Sequence, residues 1–358
     1  MTGDRVNSLI PRLYSLYGIP YTKRMARVIA VYNQKGGVAK TTTCVNLSAY
    51  LALEGKKVLL IDFDPQANAS SGLGHPAKPN EGSIYHGLFG LAEPDALTKP
   101  TIFYNYHLIP SSQHLAGALI ELVNIPEREY KLKQFIDKIR DKYDYIFIDM
   151  PPSLSLLTIN GLVAADEIVI PVQSHYFSME GLSQLLEIIE LVHKNISAQG
   201  LKVSGAVMTM FDENEPLSHK IADDIAANFP HNVFKTRIPR SVALSEAPSY
   251  GRPVILHDPN STGARAYEQL AKELIAQETP KQFQMPSQMV SAADPRQEQV
   301  VTPLPNESFD SAQDKSFVRQ PADQDMADVL IDIKPQSQPE QPPVAVSEAP
   351  IRDEAFYF

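Results

Sequence analysis

The chain of 358 residues has one cysteine, Cys44. That excludes disulfides within the chain and any cysteine-ligated cluster built from a single copy, and it argues against iron–sulfur reductases, which need ligating cysteines from each subunit. No apolar run approaches the roughly 18 residues of a membrane span, and no signal peptide is visible, so the expected location is the cytoplasm. The nine histidines show no metal-ligand spacing, and His175 reads as a surface or interface residue. Glycine is absent from residue 278 onward, where 11 prolines, many glutamines and 14 acidic against 6 basic side chains stand instead. Such a stretch cannot bury a core, so 278–358 is expected to be a disordered acidic tail. Two apolar islands within it, Met326 to Ile333 and Ala355 to Phe358, read as docking motifs for a partner or as solvated tail. The tail takes most of the net charge of −10, which leaves a near-neutral remainder able to present a local basic face. At the other end, residues 1–24 carry two prolines and no period. They read as a flexible leader, and Met25 directly before the first strand would make a natural start.

What lies between is organised around Asn33-Gln34-Lys35-Gly36-Gly37-Val38-Ala39-Lys40-Thr41-Thr42-Thr43. Upstream, Arg27 to Tyr32 is apolar and β-branched enough for a buried parallel strand. Downstream, Thr41 to Glu54 has no Gly or Pro and stops at Gly55, as a helix does. A Gly-rich loop between strand and helix offers backbone N–H groups and the positive end of the helix dipole to phosphate oxygens. Lys40 would reach the β- and γ-phosphates, and the Thr41 hydroxyl would sit on Mg²⁺. The strict pattern G-x-x-x-x-G-K-[ST] is not met, because Gln34 and Ala39 occupy its glycine positions. What is met is Lys-Gly-Gly-x-x-Lys-Thr, with an additional lysine at the front.

Two further strands end in carboxylates. Lys57 to Asp62 runs into Phe63-Asp64-Pro65-Gln66-Ala67-Asn68, and Asp62 and Asp64, at i and i+2, are expected on one side. Tyr143 to Asp149 precedes Met150-Pro151-Pro152. The ligand edge of a parallel sheet lies at the carboxyl ends of its strands, which brings these acids toward the phosphates. There, Asp149 holds Mg²⁺ through water. Arg128 to Lys142 has apolar Leu132, Phe135, Ile136 and Ile139 at helical spacing. Ser111 and Ser112 are placed to cap the helix after a strand at Tyr106 to Pro110. Asp166 to Gln173 and Lys202 to Met210 read as strands, and Ser178 to Ser197 and Gly263 to Gln277 as helices. The alternation predicts an α/β doubly wound, mainly parallel sheet over residues 25–277.

The loop resembles the deviant Walker A motif of the ParA/Soj family of partition ATPases, within the wider ParA/MinD group. Asp62 to Asn68 resembles that family's D-x-D-P-Q-x-N, Ile146 to Leu154 its I-I-I-D-x-P-P-S-L, and Ile238 to Ser249 its I-P-R…L-S-E-A-P-S. The resemblance spans about 250 residues from Arg27. It implies an ATPase with ATP and Mg²⁺ as cofactors, weak alone and stimulated by a ParB-type centromere-binding protein. The implied ATP state is a homodimer on non-specific DNA, cytoplasmic and nucleoid-associated, in chromosome or plasmid segregation. By the same resemblance Lys35 crosses the dimer to the partner's phosphates, and Gly36, Gly37, Val38, Ala39, Lys40, Thr41 and Thr42 hold the nucleotide's own. Asp64 orients the attacking water, Thr41, Asp62 and Asp149 serve the metal, and Pro239 and Arg240 flank the adenine. Lys35, Lys40 and Asp64 are thus the catalytic set, and Lys235, Arg237, Arg240, Arg252 and Arg265 are candidates for DNA phosphates. Two departures stand out: relatives usually have Gly at Ala39, and many have a basic residue at Ala243. Other readings are a related ATPase positioning a non-DNA cargo, a MinD-like membrane switch, and a metabolic P-loop enzyme. The acidic, Pro-rich tail lacks the basic amphipathic helix that membrane attachment needs.

Overall fold

The computed structural model describes residues 25–78, 81–174, 178–195 and 200–278, with the side chains of 178–180, 193 and 195 also outside it. The leader, His175 and both apolar islands of the tail lie outside the described residues.

The strands are β1 (Arg27–Val31), β2 (Val58–Asp62), β3 (Lys99–Pro100), β4 (Tyr106–Ile109), β5 (Tyr145–Asp149), β6 (Glu167–Gln173) and β7 (Lys202–Thr209). They form one sheet in the order β3-β4-β2-β5-β1-β6-β7. Every pairing is parallel except β3 with β4. The helices that position the site are α1 (Lys40–Leu53), α2 (Asn68–Gly72), α3 (Lys131–Asp137), α4 (Leu156–Ala164), α5 (Ser178–Asn195), α6 (Pro216–Asn228), α7 (Val242–Glu246) and α8 (Thr262–Ala276).

Both faces of the sheet are covered, and the strand period of two divides the apolar residues between them. Val28, Ala30, Leu59, Ile61, Ile146 and Ile148 face a cluster with Leu132, Phe135, Leu157 and Leu185. Ile29, Val31, Val58, Leu60, Tyr145 and Phe147 face the other, with Leu47, Leu51, Tyr267 and Leu270. This is the doubly wound arrangement expected from the alternation of elements. α8 closes the domain against α1, where the Thr43 and Tyr267 hydroxyls bond at 3.0 Å in a fully buried position. Just past α8, Glu278 pairs with Lys56 at 2.9 Å and accepts a hydrogen bond from the Tyr145 hydroxyl.

Two local expectations change. The helix expected over Arg128 to Lys142 is broken into a 3₁₀ turn, α3 and a second 3₁₀ turn at Arg140–Lys142. Its apolar stripe is buried as expected, but Arg140 is drawn out of the helix. Its carbonyl accepts from Ala26 N, and its guanidinium donates to Ala26 O and ion-pairs with Asp166. Ser112 does precede a helical turn, a 3₁₀ turn at Gln113–Ala116, yet makes no capping bond there. Its hydroxyl instead meets that of Ser83 at 3.0 Å. Among the described residues no helix is long and apolar enough to cross a membrane.

Candidate nucleotide site

β1 ends at Val31 and delivers Asn33 into a buried position. Its amide donates to Pro171 O at 2.8 Å, and its Oδ1 accepts from Lys35 N at 3.0 Å, which fixes the loop's entry to the end of β6. The exit is fixed by β7, where the Thr209 hydroxyl donates to Val38 O at 3.1 Å. Between these anchors Gly36 and Gly37 are exposed, and a Cβ built on either would meet no atom within 4 Å. Gly37 has φ 72°, a conformation glycine adopts without strain.

α1 begins with no acidic residue in its first turn and no side-chain cap. Its first N–H groups therefore keep their capacity for an anion. The residue in the cap position is Ala39, held in the left-handed region at φ 66°, ψ 33°. Ala39→Gly should relieve this strain and stabilise the fold by about 1 kcal/mol, read as a higher midpoint in denaturant. An unchanged midpoint would mean that the loop relaxes away from this backbone in solution.

Lys40 is buried, and its ammonium donates to Lys35 O at 3.0 Å. Burial pulls its pKa down, while Asp149 and Asp64 hold it up. Lys35 differs: it is exposed, and its Nζ reaches outside the loop to Gln173 Oε1 at 3.4 Å. The two lysines of the motif are thus held apart, one inside the cradle and one outside it.

Asp62 and Asp149 stand in register at the carboxyl ends of β2 and β5, both fully buried. Neither oxygen of Asp149 has a hydrogen-bond partner. Burial, reinforced by Asp62, pushes its pKa up to about 8, against which the Thr41 side chain acts. Asp62 is raised to about 6, again chiefly by burial. Its Oδ2 accepts from the Ser70 amide and hydroxyl, each at 2.7 Å, and its Oδ1 accepts from Asp64 N at 3.2 Å. β2 stops at Asp62, so Asp64 does not share a strand face with it, as the i, i+2 spacing suggested. It sits in the following turn, where its Oδ1 accepts from Gln66 N at 2.9 Å, and it is 8% exposed. A buried carboxylate without partners, beside a threonine at a helix N-terminus, fits a small hard cation. Mg²⁺ takes one or two protein oxygens and leaves its remaining positions to water and phosphate. A cage of three or more His, Cys, Asp or Glu side chains is absent among the described residues, and such a cation does not need one.

Beside the start of α1 lies a cavity of about 610 Å³, lined by Ala39, Thr42, Met210, Pro239, Arg240 and Tyr267 among others. The structure thus brings Pro239 and Arg240 to the loop. The other candidate cations are dispersed. Arg237 lies over the Phe211 ring at 4.6 Å and Arg252 over Tyr250 at 5.1 Å. Lys235, Arg240 and Arg265 are exposed. Ala243, on α7, packs into the core, so its side chain is not part of the exposed surface. Residues to which the motifs gave no role are Asn33, Gln173, Thr209 and Ser70. For Asn33 the only signal was its place at the head of the loop stretch, and for Ser70 a polar side chain just past a motif.

A family model described as an AAA domain matches residues 26–203. Over 252 residues the chain is 49% identical to the sporulation initiation inhibitor protein Soj of Bacillus subtilis (strain 168), covering 70% of this chain and 99% of that protein. The chain belongs to the ParA/Soj family of chromosome-partitioning ATPases. Another member, the chromosome partitioning protein ParA of Myxococcus xanthus, is 43% identical over 257 residues, 72% of this chain and 90% of that one. Among solved structures, cobyrinic acid a,c-diamide synthase from Mycobacterium smegmatis with bound ADP and magnesium matches with a TM-score of 0.62 and 36% identity. That match covers 70% of this chain and 94% of the other. Membership of the ParA/Soj family makes the chain an ATPase, with ATP and Mg²⁺ as its cofactors.

Proposed function

We propose that the chain is an ATP-dependent dimerising switch that holds non-specific DNA in its ATP state and releases it on hydrolysis, in chromosome or plasmid segregation. The observation that carries this reading is the buried, unpartnered Asp149 carboxylate at the carboxyl edge of the sheet, with Lys40 and Thr41 beside it. ATP lies with its phosphates on the amides of Gly36 to Thr42 and its base in the cavity beside Pro239 and Arg240. Thr41, Asp62 and Asp149 would hold Mg²⁺, which would neutralise charge on the phosphates. Lys40 exchanges the Lys35 carbonyl for a phosphate oxygen, a stronger acceptor. Asp64, at the rim, accepts a hydrogen bond from the attacking water and orients it. Lys35 meets the partner subunit's phosphates and stabilises charge in the transition state. Turnover is weak alone and rises with a ParB-type partner on its centromere. Lys235, Arg237, Arg240, Arg252 and Arg265 contact DNA phosphates, and the protein is cytoplasmic and nucleoid-associated.

The solved relative named as a diamide synthase favours a second reading, an ATP-dependent enzyme that amidates a small acceptor. If the nitrogen came from glutamine, a thiolate nucleophile would be the usual means of releasing it. The one cysteine, Cys44, is completely buried, and burial together with Asp149 keeps its thiol protonated.

Binding to non-specific duplex DNA separates the two. ATP, and neither ADP nor the nucleotide-free state, should support binding that weakens steeply with salt. Lys40→Ala should lose it, and Asp64→Ala should keep it because the ATP state persists. Should no nucleotide state bind DNA although ATP still dimerises the protein, the DNA role falls and the cargo is something else.

A further inference from the structure

The Asp62 carboxylate is fixed by a residue outside the motifs. α2 is turned back toward the end of β2 by the left-handed backbone of Ala67, φ 53°, at its cap. That turn brings both the amide and the hydroxyl of Ser70 to a single oxygen, Asp62 Oδ2, each at 2.7 Å. The same hydroxyl oxygen accepts from Ser111 N at 3.0 Å, just beyond β4. Asp62 and Ser70 have no exposed surface, and Ser111 is 1% exposed. With a lone pair taken by the Ser111 amide, the Ser70 hydroxyl hydrogen is left to Asp62, so the group's orientation is set from both sides. Oδ2 is thereby occupied, and the carboxylate cannot rotate without breaking two buried bonds. Oδ1 carries one longer bond, 3.2 Å from Asp64 N, and is the oxygen left for a further ligand.

We propose that Ser70 is a positioning residue: it locks the Asp62 carboxylate so that Oδ1 is presented to the divalent cation of the nucleotide site. The inference rests on the reading that Asp62 serves that cation. Supporting partners of this kind are worth about 10- to 100-fold in metal affinity where they have been removed.

The test titrates Mg²⁺ against the full chain and reads the affinity of a fluorescent ATP derivative, with thermal unfolding in parallel. Ser70→Ala should need about tenfold more Mg²⁺ for half of its effect on nucleotide affinity. Affinity measured without Mg²⁺ should match wild type. Ser70→Thr, which keeps the hydroxyl, should restore the Mg²⁺ requirement. Ser70→Cys, with a weaker donor in a similar volume, should fall between, and it carries the test if the alanine variant does not fold. If Ser70→Ala only lowers the unfolding temperature, by the same amount with and without Mg²⁺ and nucleotide, the proposal is overturned. Asp62→Asn tells that failure from a failure of the underlying reading. A raised Mg²⁺ requirement in Asp62→Asn but not in Ser70→Ala removes the positioning role alone. An unchanged requirement in both removes the cation role of Asp62 as well, leaving it as the acceptor that anchors α2.

Discussion

Mixing two inactive variants, Lys35→Ala and Lys40→Ala, should restore ATP hydrolysis. Each alone is expected to lose at least about a hundredfold in turnover, the cost of removing one preorganised stabiliser of transition-state charge. They fail for different reasons. Lys40 is inside the cradle, buried and bonded to the loop's own Lys35 carbonyl, so its loss empties the site of its cation. Lys35 contributes its backbone to its own loop, the N–H to Asn33 and the carbonyl to Lys40, while its side chain is exposed and leans on Gln173. Lys35→Ala should accordingly bind ATP within a few-fold of wild type, still pair, and fail at turnover. In a mixed dimer of the proposed kind, the Lys35→Ala subunit would bring an intact cradle and the Lys40→Ala subunit the lysine that reaches across. If pairing is random, half of the subunits enter such dimers, each with one competent site, so recovery should reach at most about a quarter of wild-type turnover. Phosphate release in equimolar mixtures against total protein is the measurement. Activity that stays at the sum of the two separate variants would place Lys35 in its own subunit's site.

Much of this was legible from pattern. The strands reveal themselves because they are buried on both faces and so read as apolar runs, and the carboxyl-edge rule then brings Asp62 and Asp149 together without a structure. Less legible was whatever depended on a turn. Whether Ala39 is helical or left-handed is a choice between backbone wells separated by about 1 kcal/mol, which one residue's identity does not decide. The tertiary bonds of Asn33 and Thr209 to either end of the loop settle it. Ser70 is eight residues from Asp62 and reaches it only because the chain folds back at Ala67. Arg140 lies in a stretch with helical spacing, but its bonds to Ala26, just before β1 and distant in sequence, override local preference. The surface cations were hardest to place, since a solvated arginine and one stacked on Phe211 look the same in sequence.

Asp149→Asn should stabilise the nucleotide-free protein in alkaline buffer and abolish Mg²⁺-dependent nucleotide binding. Burial beside Asp62 raises the Asp149 pKa to about 8, whereas in the unfolded chain it titrates near 4. Between those values the folded state keeps a proton that the unfolded state has lost, so ionisation favours unfolding. Stability of the empty protein should therefore fall as pH rises from about 4 to about 8, by at most about 1.4 kcal/mol per unit, and level off above. Asparagine keeps the shape and does not ionise, so this slope should shrink in the variant. At pH 8 the gain should be on the order of 2 kcal/mol, the rest offset by burying an amide that has few partners. Wild type should recover the difference when Mg²⁺ and nucleotide are added, because the cation stabilises the ionised carboxylate that burial disfavours. Thermal unfolding of both proteins from pH 5 to 9, with and without Mg²⁺ and ATP, measures each part. Parallel pH profiles would mean that Asp149 is already ionised in the empty site, held by Lys40. A difference confined to high pH and erased by Mg²⁺ and nucleotide would place the cost of the orphaned carboxylate where its use is: it destabilises the empty site and is offset only on loading, so that loading and folding stability are linked through one side chain.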